Sequence, residues 1–314
     1  MEIDPLAMDG WLEFNRYKWN LEPHKIKLSI DDHEVPAVET VVYLDTRGRI
    51  VMPPLNPYLP VIFRPSPTDK VYRLRRQWIA VSELLVAEFQ KRRVLGAVTL
   101  PTDIVDVRAW QWRGFLAEPR YTFYLSLPLQ LPEVDHAFRT KINKATKTGF
   151  QVHRSLTFNK VIECLSDTEQ RQGFKHGLNI EDLRRASALL GEDSFRCYIA
   201  IAPSGEVASA RIVLKGPGSK ALDWVAGTKR DFLNSGVTQY LIAFVLDDLA
   251  RDGVKTFDFA GANLPTVQAA KSAWGGDLKV YFVLRAPGLR TIVSTGLRLL
   301  RVSFRRGYNE PTHS

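Results

Sequence analysis

The feature that most constrains the fold is an alternation of helix and strand patterns in residues 237–284. Apolar residues recur at helical spacing over residues 237–251, and a strand pattern follows at residues 255–259. A loop of small residues then leads to a short helix that begins at Pro265, where a missing N–H costs nothing. Two glycines end that helix before the next strand pattern, residues 278–284. Helices that alternate with strands in this way predict an α/β architecture.

The first half of the chain repeats this order of elements with different residues. A helix, a strand, a short helix ending in Trp and an aromatic strand are predicted at residues 79–92, 97–100, 107–112 and 121–127. In each half, mixed antiparallel strands accompany the alternating helices and strands. We therefore expect an α/β (α+β) fold with mixed sheets and two tandem domains, residues 1–130 and 131–314.

The composition excludes several classes of protein. The 314 residues include 43 Lys and Arg against 34 Asp and Glu, and the net charge of +9 favours anionic ligands such as phosphates, RNA or acidic lipids. The sequence shows neither a signal-peptide pattern nor an uncharged apolar run of about eighteen residues. The two cysteines, Cys164 and Cys197, fit buried thiols in a reducing compartment. We expect a cytoplasmic protein.

The familiar catalytic motifs are missing from the sequence. It has no G-x-S-x-G, no H-E-x-x-H, no G-x-x-x-x-G-K loop and no strand followed by G-x-G-x-x-G. Its six histidines are scattered singly, without the spacing of metal ligands, so no metal site is predicted. The chemistry must therefore be of a kind that requires little beyond positioning and charge.

Five segments together carry a resemblance to a known family. They read MPPLNPYLP (residues 52–60), YTFYLSLPL (121–129), FRTKINKATKTGFQV (138–152), GVKTFDFAGAN (253–263) and AAKSAWGG (269–276). Their order and spacing resemble the FemAB-like branch of the GNAT acyltransferase superfamily over roughly residues 40–285. The resemblance implies two tandem GNAT-like domains, with the active site on the second.

The resemblance also implies an activity. Members of this branch transfer an acyl or aminoacyl group to an amine, with acyl-CoA or aminoacyl-tRNA as co-substrate and no bound cofactor. We therefore expect an N-acyltransferase that acts on an amine-bearing small molecule or a lipid-linked acceptor, such as a cell-envelope precursor or an amino sugar. Such a reaction needs an oriented amine, a route for its proton and a charge that stabilises the oxyanion.

Two residues are implied as catalytic. The resemblance puts Lys271 near the donor carbonyl or the donor phosphates, and the alternative is a solvated lysine on a short helix. Asp258, at a strand end, could take the proton of an incoming ammonium, or could instead cap the following turn or bind the Gly261 and Ala262 amides. Members that use aminoacyl-tRNA often have an aromatic residue before the lysine. Ala270 stands there in this chain, which favours acyl-CoA over tRNA as donor.

Further residues are implied in binding the donor phosphates. In acyl-CoA-dependent members a glycine-rich turn presents its amides to the pyrophosphate at a helix N-terminus. In the equivalent segment, GTKRDFLNSGVTQ, Gly236 alone remains of that pattern, while Lys229 and Arg230 supply charge. Lys144 and Lys147 belong to a basic helix that would border the same region and could contact a nucleotide diphosphate or the tRNA backbone.

The C-terminal segment, residues 289–308, intersperses arginines with apolar residues. This pattern predicts a basic amphipathic helix, which could lie on the anionic inner face of a membrane or close the second domain. The basic charge also leaves open another class of function. The chain could have kept the fold, lost catalysis and become a module that binds RNA or anionic membrane.

Overall fold

The computed structural model describes residues 4–30 and 37–287 as a mixed α/β fold. Within these residues the helices are α1 (Asp9–Trp19), α2 (Val71–Arg92), α3 (Arg108–Trp112), α4 (His136–Thr148), α5 (Phe158–Gln172), α6 (Ile180–Leu190), α7 (Val237–Arg251) and α8 (Pro265–Ser272). The strands are β1 (Glu22–Leu28), β2 (Val38–Leu44), β3 (Val61–Phe63), β4 (Ala97–Thr99), β5 (Leu116–Ser126), β6 (Gln151–Arg154), β7 (Phe195–Ile201), β8 (Val207–Lys215), β9 (Lys220–Thr228), β10 (Thr256–Asp258) and β11 (Asp277–Arg285). The predicted fold class, α/β with mixed sheets, is confirmed.

The described strands form two sheets. β1, β2 and β3 make a small antiparallel sheet, and the other eight form one large sheet in the order β4-β11-β5-β10-β9-β8-β7-β6. In the large sheet β9 and β10 are parallel, and the other neighbours among the described strands are antiparallel. β4 and β5 precede residue 130 but share this sheet with later strands. The division into residues 1–130 and 131–314 stays a prediction.

Helices cover both faces of the large sheet. On one face, called the α7 face, α4 and α7 enclose a core that includes Phe257, Phe259 and Trp274. On the other, called the α5 face, α1, α5 and α6 enclose a core that includes Tyr58 and Leu222. A third core lies between the small sheet and α2. Because side chains alternate along a strand, neighbouring residues of β9 or β10 point to opposite faces.

The Trp-Gly-Gly sequence after α8 positions β11 against β5. Gly275 has a φ of +77°, a conformation that glycine adopts without strain. A Cβ on Gly276 would lie 2.7 Å from the carbonyl oxygen of Tyr124 in β5, so a larger residue does not fit there. The Trp274 side chain is 1% exposed and packs against Phe138 in the α7-face core. This sequence therefore ends α8 and brings the chain back to the sheet.

Two expectations about the surface have different outcomes. The basic helix predicted at residues 289–308 lies outside the described residues. Within residues 4–30 and 37–287, no helix is both long and apolar enough to cross a membrane. Peripheral contact with an anionic membrane stays a prediction.

Candidate active site

The candidate site lies where β10 ends beside the longer strand β9. β10 pairs with only three residues of β9, and its last residue is Asp258. β9 continues to Thr228 alongside β8. After Asp258 the chain turns away from β9, and the amides of Phe259 and Ala262 donate to carbonyl oxygens of β5. The end of β10 therefore opens a gap in the sheet next to β9.

Asp258 points from this strand end towards the α5 face, because its neighbours Phe257 and Phe259 both belong to the α7-face core. Its Oδ1 accepts hydrogen bonds from Thr122 Oγ1 and from the Ala260 N–H, both at 2.7 Å. Among the described residues, none donates a hydrogen bond of normal geometry to Oδ2. Oδ1 thus caps the following turn through the Ala260 N–H, whereas the Gly261 and Ala262 N–H groups donate to Thr122 Oγ1 and to the Tyr121 carbonyl oxygen.

The Asp258 carboxyl can exchange a proton close to neutral pH. Burial raises its pKa from the ordinary 3.8 to about 6, although its two hydrogen bonds and the charge of Lys271 act in the opposite direction. The Tyr58 hydroxyl also lowers this pKa, yet it makes no hydrogen bond of normal geometry to a described residue. A narrow cavity of about 40 Å³ reaches Asp258 between Tyr58 and Tyr124. This carboxyl is therefore a suitable general base for a ligand that enters the cavity.

Lys271 lies on α8 and approaches the same gap from the α7 side. Its Nζ donates to the carbonyl oxygens of Phe259 and Gly261, each at 2.6 Å, and lies 5.6 Å from the centre of the Phe259 ring. Because an ammonium has three N–H donors, one remains for a ligand. Burial lowers the pKa of Lys271, and the carboxylates of Asp223 and Asp258 act in the opposite direction. The side chain is thus a held, partly buried cation rather than a solvated one.

Two charged residues that the sequence analysis missed lie close to Lys271. Arg211 of β8 and Asp223 of β9 form an ion pair and are 7% and 8% exposed. Both affect the pKa of Lys271, in opposite directions. Asp223 Oδ1 and Arg211 Nε are buried without a hydrogen bond to a described residue. The signal that could have found them is a charged residue inside each of two mainly apolar strand patterns, ARIVL and ALDWVA.

Asp258 and Lys271 therefore approach the gap from opposite faces of the sheet. Each changes the pKa of the other, but no nitrogen–oxygen distance between these two described side chains is within ion-pair range. The turn between them holds Ala260 at a φ of +54°, a left-handed conformation that costs about 1 kcal/mol or more outside glycine. A reaction that used both groups would therefore have to take place across the end of β10.

Three of the predicted phosphate-binding residues lie on or beside α4. Gly236 precedes α7 with a φ of +86°, and a Cβ there would lie 2.2 Å from the carbonyl oxygen of Lys141 in α4. Lys144 donates to the Asn234 carbonyl oxygen at 3.1 Å, while Lys147 is exposed. The close approach that requires glycine is therefore made by α4 itself, whose basic face borders the start of α7.

Lys229 and Arg230 are engaged by acidic residues. Lys229 Nζ lies 3.1 Å from a carboxylate oxygen of Glu163 and 3.0 Å from one of Glu206. The backbone N–H of Arg230 donates to Asp167 at 3.0 Å. Glu163 and Asp167 belong to α5, so these contacts hold both residues beside that helix. Binding of the donor phosphates by any of the five residues stays a prediction.

Comparisons with solved structures support the fold. The crystal structure of FemX matches with a TM-score of 0.63 and 14% identity, over 90% of this chain and 92% of that one. L-PGS from Bacillus licheniformis matches with a TM-score of 0.58 and 10% identity, over 92% of this chain and 91% of that one. The C-terminal domain of a putative lysylphosphatidylglycerol synthetase from Agrobacterium fabrum matches with a TM-score of 0.57 and 9% identity, over 90% of this chain and 88% of that one. No family model and no curated protein sequence matches. The chain thus shares its fold with FemX.

Proposed function

We propose that this protein is an N-acyltransferase in which Asp258 takes a proton from the acceptor amine and Lys271 stabilises the oxyanion. The observation that carries the proposal is the placement of these two groups on either side of the gap at the end of β10. Each keeps one hydrogen-bonding position for a ligand. The fold shared with FemX is consistent with this class of reaction.

The reaction is the attack of an amine nitrogen on the carbonyl carbon of a thioester or ester. The acceptor ammonium gives one proton to Asp258. Because the pKa of this carboxyl is raised, it lies closer to the pKa of an ammonium, and the proton transfer is less unfavourable. As the C–N bond forms, the carbonyl oxygen becomes an oxyanion, and the remaining N–H of Lys271 donates to it. The C–S or C–O bond then breaks, the second proton of the nitrogen goes to the leaving group, and Asp258 returns its proton to solvent.

The donor that we favour is acyl-CoA, because Ala270 stands where an aromatic residue often precedes the lysine of relatives that use tRNA. The second candidate is an aminoacyl ester such as aminoacyl-tRNA. Asp223 favours it, because its unbonded Oδ1 close to Lys271 suits the ammonium of an aminoacyl group. By its name, the putative lysylphosphatidylglycerol synthetase of the same fold also concerns a lysyl group.

The test is a transfer assay with acetyl-CoA, longer acyl-CoAs and charged tRNA against a panel of amines, read by mass spectrometry of the amide product. Lys271→Met should lower kcat/KM about 10²- to 10³-fold, the usual effect of removing one oxyanion donor. Lys91→Met, at an exposed lysine of α2, is the matched control and should leave transfer unchanged. Transfer that survives Lys271→Met would refute the assignment. RNA binding with a steep salt dependence and no transfer would favour the non-catalytic alternative.

A further inference from the structure

The acceptor has to reach Asp258 from the α5 face, and two cavities define its route. The narrow cavity at Asp258, about 40 Å³, shares Asp4, Asp103 and Lys220 with a groove of about 920 Å³. The groove lies between β3, α2 and the loop that precedes α3. The two cavities therefore adjoin at these three residues, and a long ligand in the groove could extend one end to Asp258.

The narrow cavity limits what can touch Asp258. Its volume accommodates only a few water-sized groups. Its walls include Tyr124, whose hydroxyl is bonded to Thr102, and Tyr58, whose buried hydroxyl interacts with Asp258 without a hydrogen bond of normal geometry to a described residue. An aminomethyl tip fits this space and offers N–H donors to Asp258 and to the Tyr58 oxygen. A branched amine or a ring-borne amine is too wide for it.

The groove has apolar walls and carries charges of both signs. Its apolar residues are Val61, Ile62, Phe63, Leu74, Trp78, Ile104 and Val105, and Val105 is 64% exposed. Its charged residues are Asp4, Asp103, Asp106, Arg75, Arg108 and Lys220, and Lys220 Nζ lies 3.6 Å from a carboxylate oxygen of Asp103. Two guanidinium groups on this groove, Arg75 and Arg108, share one neighbouring carboxylate, Asp106. Arg108 lies 2.7 Å from Asp106, whereas Arg75 has no carboxylate oxygen within 4 Å among the described residues. Arg75 is therefore available to an anionic ligand.

We propose that this groove binds the acceptor, and that the acceptor is an unbranched primary amine joined by an alkyl chain to an anionic group. The charges match such a ligand from end to end. Asp258 takes the ammonium, the apolar walls cover the chain, and Arg75 pairs with the anion. The inference rests on the proposed function, because it assigns the acceptor of that same site.

The test is calorimetric binding of 6-aminohexanoate, 8-aminooctanoate and 12-aminododecanoate to the full chain without any donor. Affinity should rise with chain length as more apolar surface is buried. Asp258→Asn should weaken binding of 12-aminododecanoate and of dodecylamine about tenfold or more, but not that of dodecanoate. Arg75→Gln should weaken the binding of 12-aminododecanoate and of dodecanoate about three- to fivefold and leave the binding of dodecylamine unchanged.

Arg76→Gln is the matched control, because Arg76 is the next residue on α2, is equally exposed and does not line the groove. The proposal would be overturned if Arg76→Gln lowered the affinity as much as Arg75→Gln does. It would also be overturned if neither Arg75→Gln nor Asp258→Asn changed the affinity. Because these measurements involve no donor, they succeed or fail independently of transfer. Loss of transfer in Lys271→Met with unchanged binding would support both assignments, whereas binding without any transfer would refute only the proposed function.

Discussion

Replacing Asp258 with asparagine should abolish transfer, and the stability of the variant relative to wild type should increase from pH 4 to neutral pH. The substitution keeps an oxygen at Oδ1, which can still accept from Thr122 Oγ1 and from the Ala260 N–H. It replaces Oδ2, the oxygen to which no described residue donates, with an amide NH2 group. The turn should therefore survive while the proton acceptor is lost.

The magnitude follows from the pKa of Asp258, which burial raises from 3.8 to about 6. Since each pKa unit corresponds to about 1.4 kcal/mol, the buried carboxylate lowers the free energy of unfolding by up to about 3 kcal/mol above pH 6. The folded state holds this proton more tightly than the unfolded state does. Wild-type stability is therefore lost as pH rises from about 4 to about 6, whereas asparagine does not titrate. If the asparagine NH2 group found no hydrogen-bond acceptor, the variant would lose about 1–3 kcal/mol of stability at every pH. This cost would not change how the stability difference between the two proteins depends on pH.

The assay is urea unfolding of both proteins at pH 4, 5, 6 and 7, followed by circular dichroism. The stability of Asp258→Asn relative to wild type should increase by up to about 3 kcal/mol across this range. Asp277→Asn, at a carboxylate whose side chain is 75% exposed, is the control and should give a flat difference. A flat difference for Asp258→Asn, or transfer activity in this variant, would refute the reasoning.

Four further predictions concern the same gap and its surroundings. The kcat/KM of the wild type should rise as pH increases through about 6, because Asp258 becomes ionised. It should decrease again at a pH below 10.5, the ordinary pKa of lysine, because burial lowers the pKa of Lys271. Thr122→Val removes a hydrogen bond that lowers the pKa of Asp258, so it should move the rising limb to higher pH; an unmoved limb would contradict this role. Asp223→Asn should reduce kcat/KM for aminoacyl donors about tenfold and leave acyl-CoA donors unaffected; equal effects on both would remove Asp223 from donor recognition. Gly276→Ala should lower the free energy of unfolding by about 1–3 kcal/mol, because its Cβ would lie 2.7 Å from the Tyr124 carbonyl oxygen, and unchanged urea unfolding would contradict the contact.

Elements with strong local periodicity could be predicted from the sequence. The helix expected at residues 237–251 coincides with α7 (Val237–Arg251), because its apolar stripe faces the α7-face core. α1 was not predicted, since its buried residues contact partners far away in the chain. Trp11 packs edge-to-face on Trp224 at 5.2 Å, and the Gly10 position approaches the backbone of α6. Such a helix is fixed by tertiary contacts that no local pattern contains.

The candidate site was only partly predictable for a related reason. Motif order identified Asp258 and Lys271, but their placement on opposite faces depends on where β10 ends and on how the loop follows β5. The Arg211–Asp223 pair joins two strands at different positions in the sequence, so neither charge explains the other until the strands are paired. The close approach of α4 to Gly236 requires a residue without a side chain there, a packing reason that the sequence pattern did not contain, and phosphate binding at Gly236 stays a prediction.

The end of β10 joins the fold and the proposed chemistry in a single carboxylate. Oδ1 of Asp258 stabilises the left-handed turn at Ala260, and that turn presents the Phe259 and Gly261 carbonyl oxygens that hold Lys271. The proposed general base therefore also positions the Lys271 ammonium, through the backbone of residues 259–261. A change that loosens this turn should weaken oxyanion stabilisation even if Lys271 is intact. Because Asp258→Asn keeps Oδ1, it removes the proton acceptor without removing the hydrogen bond that holds the turn.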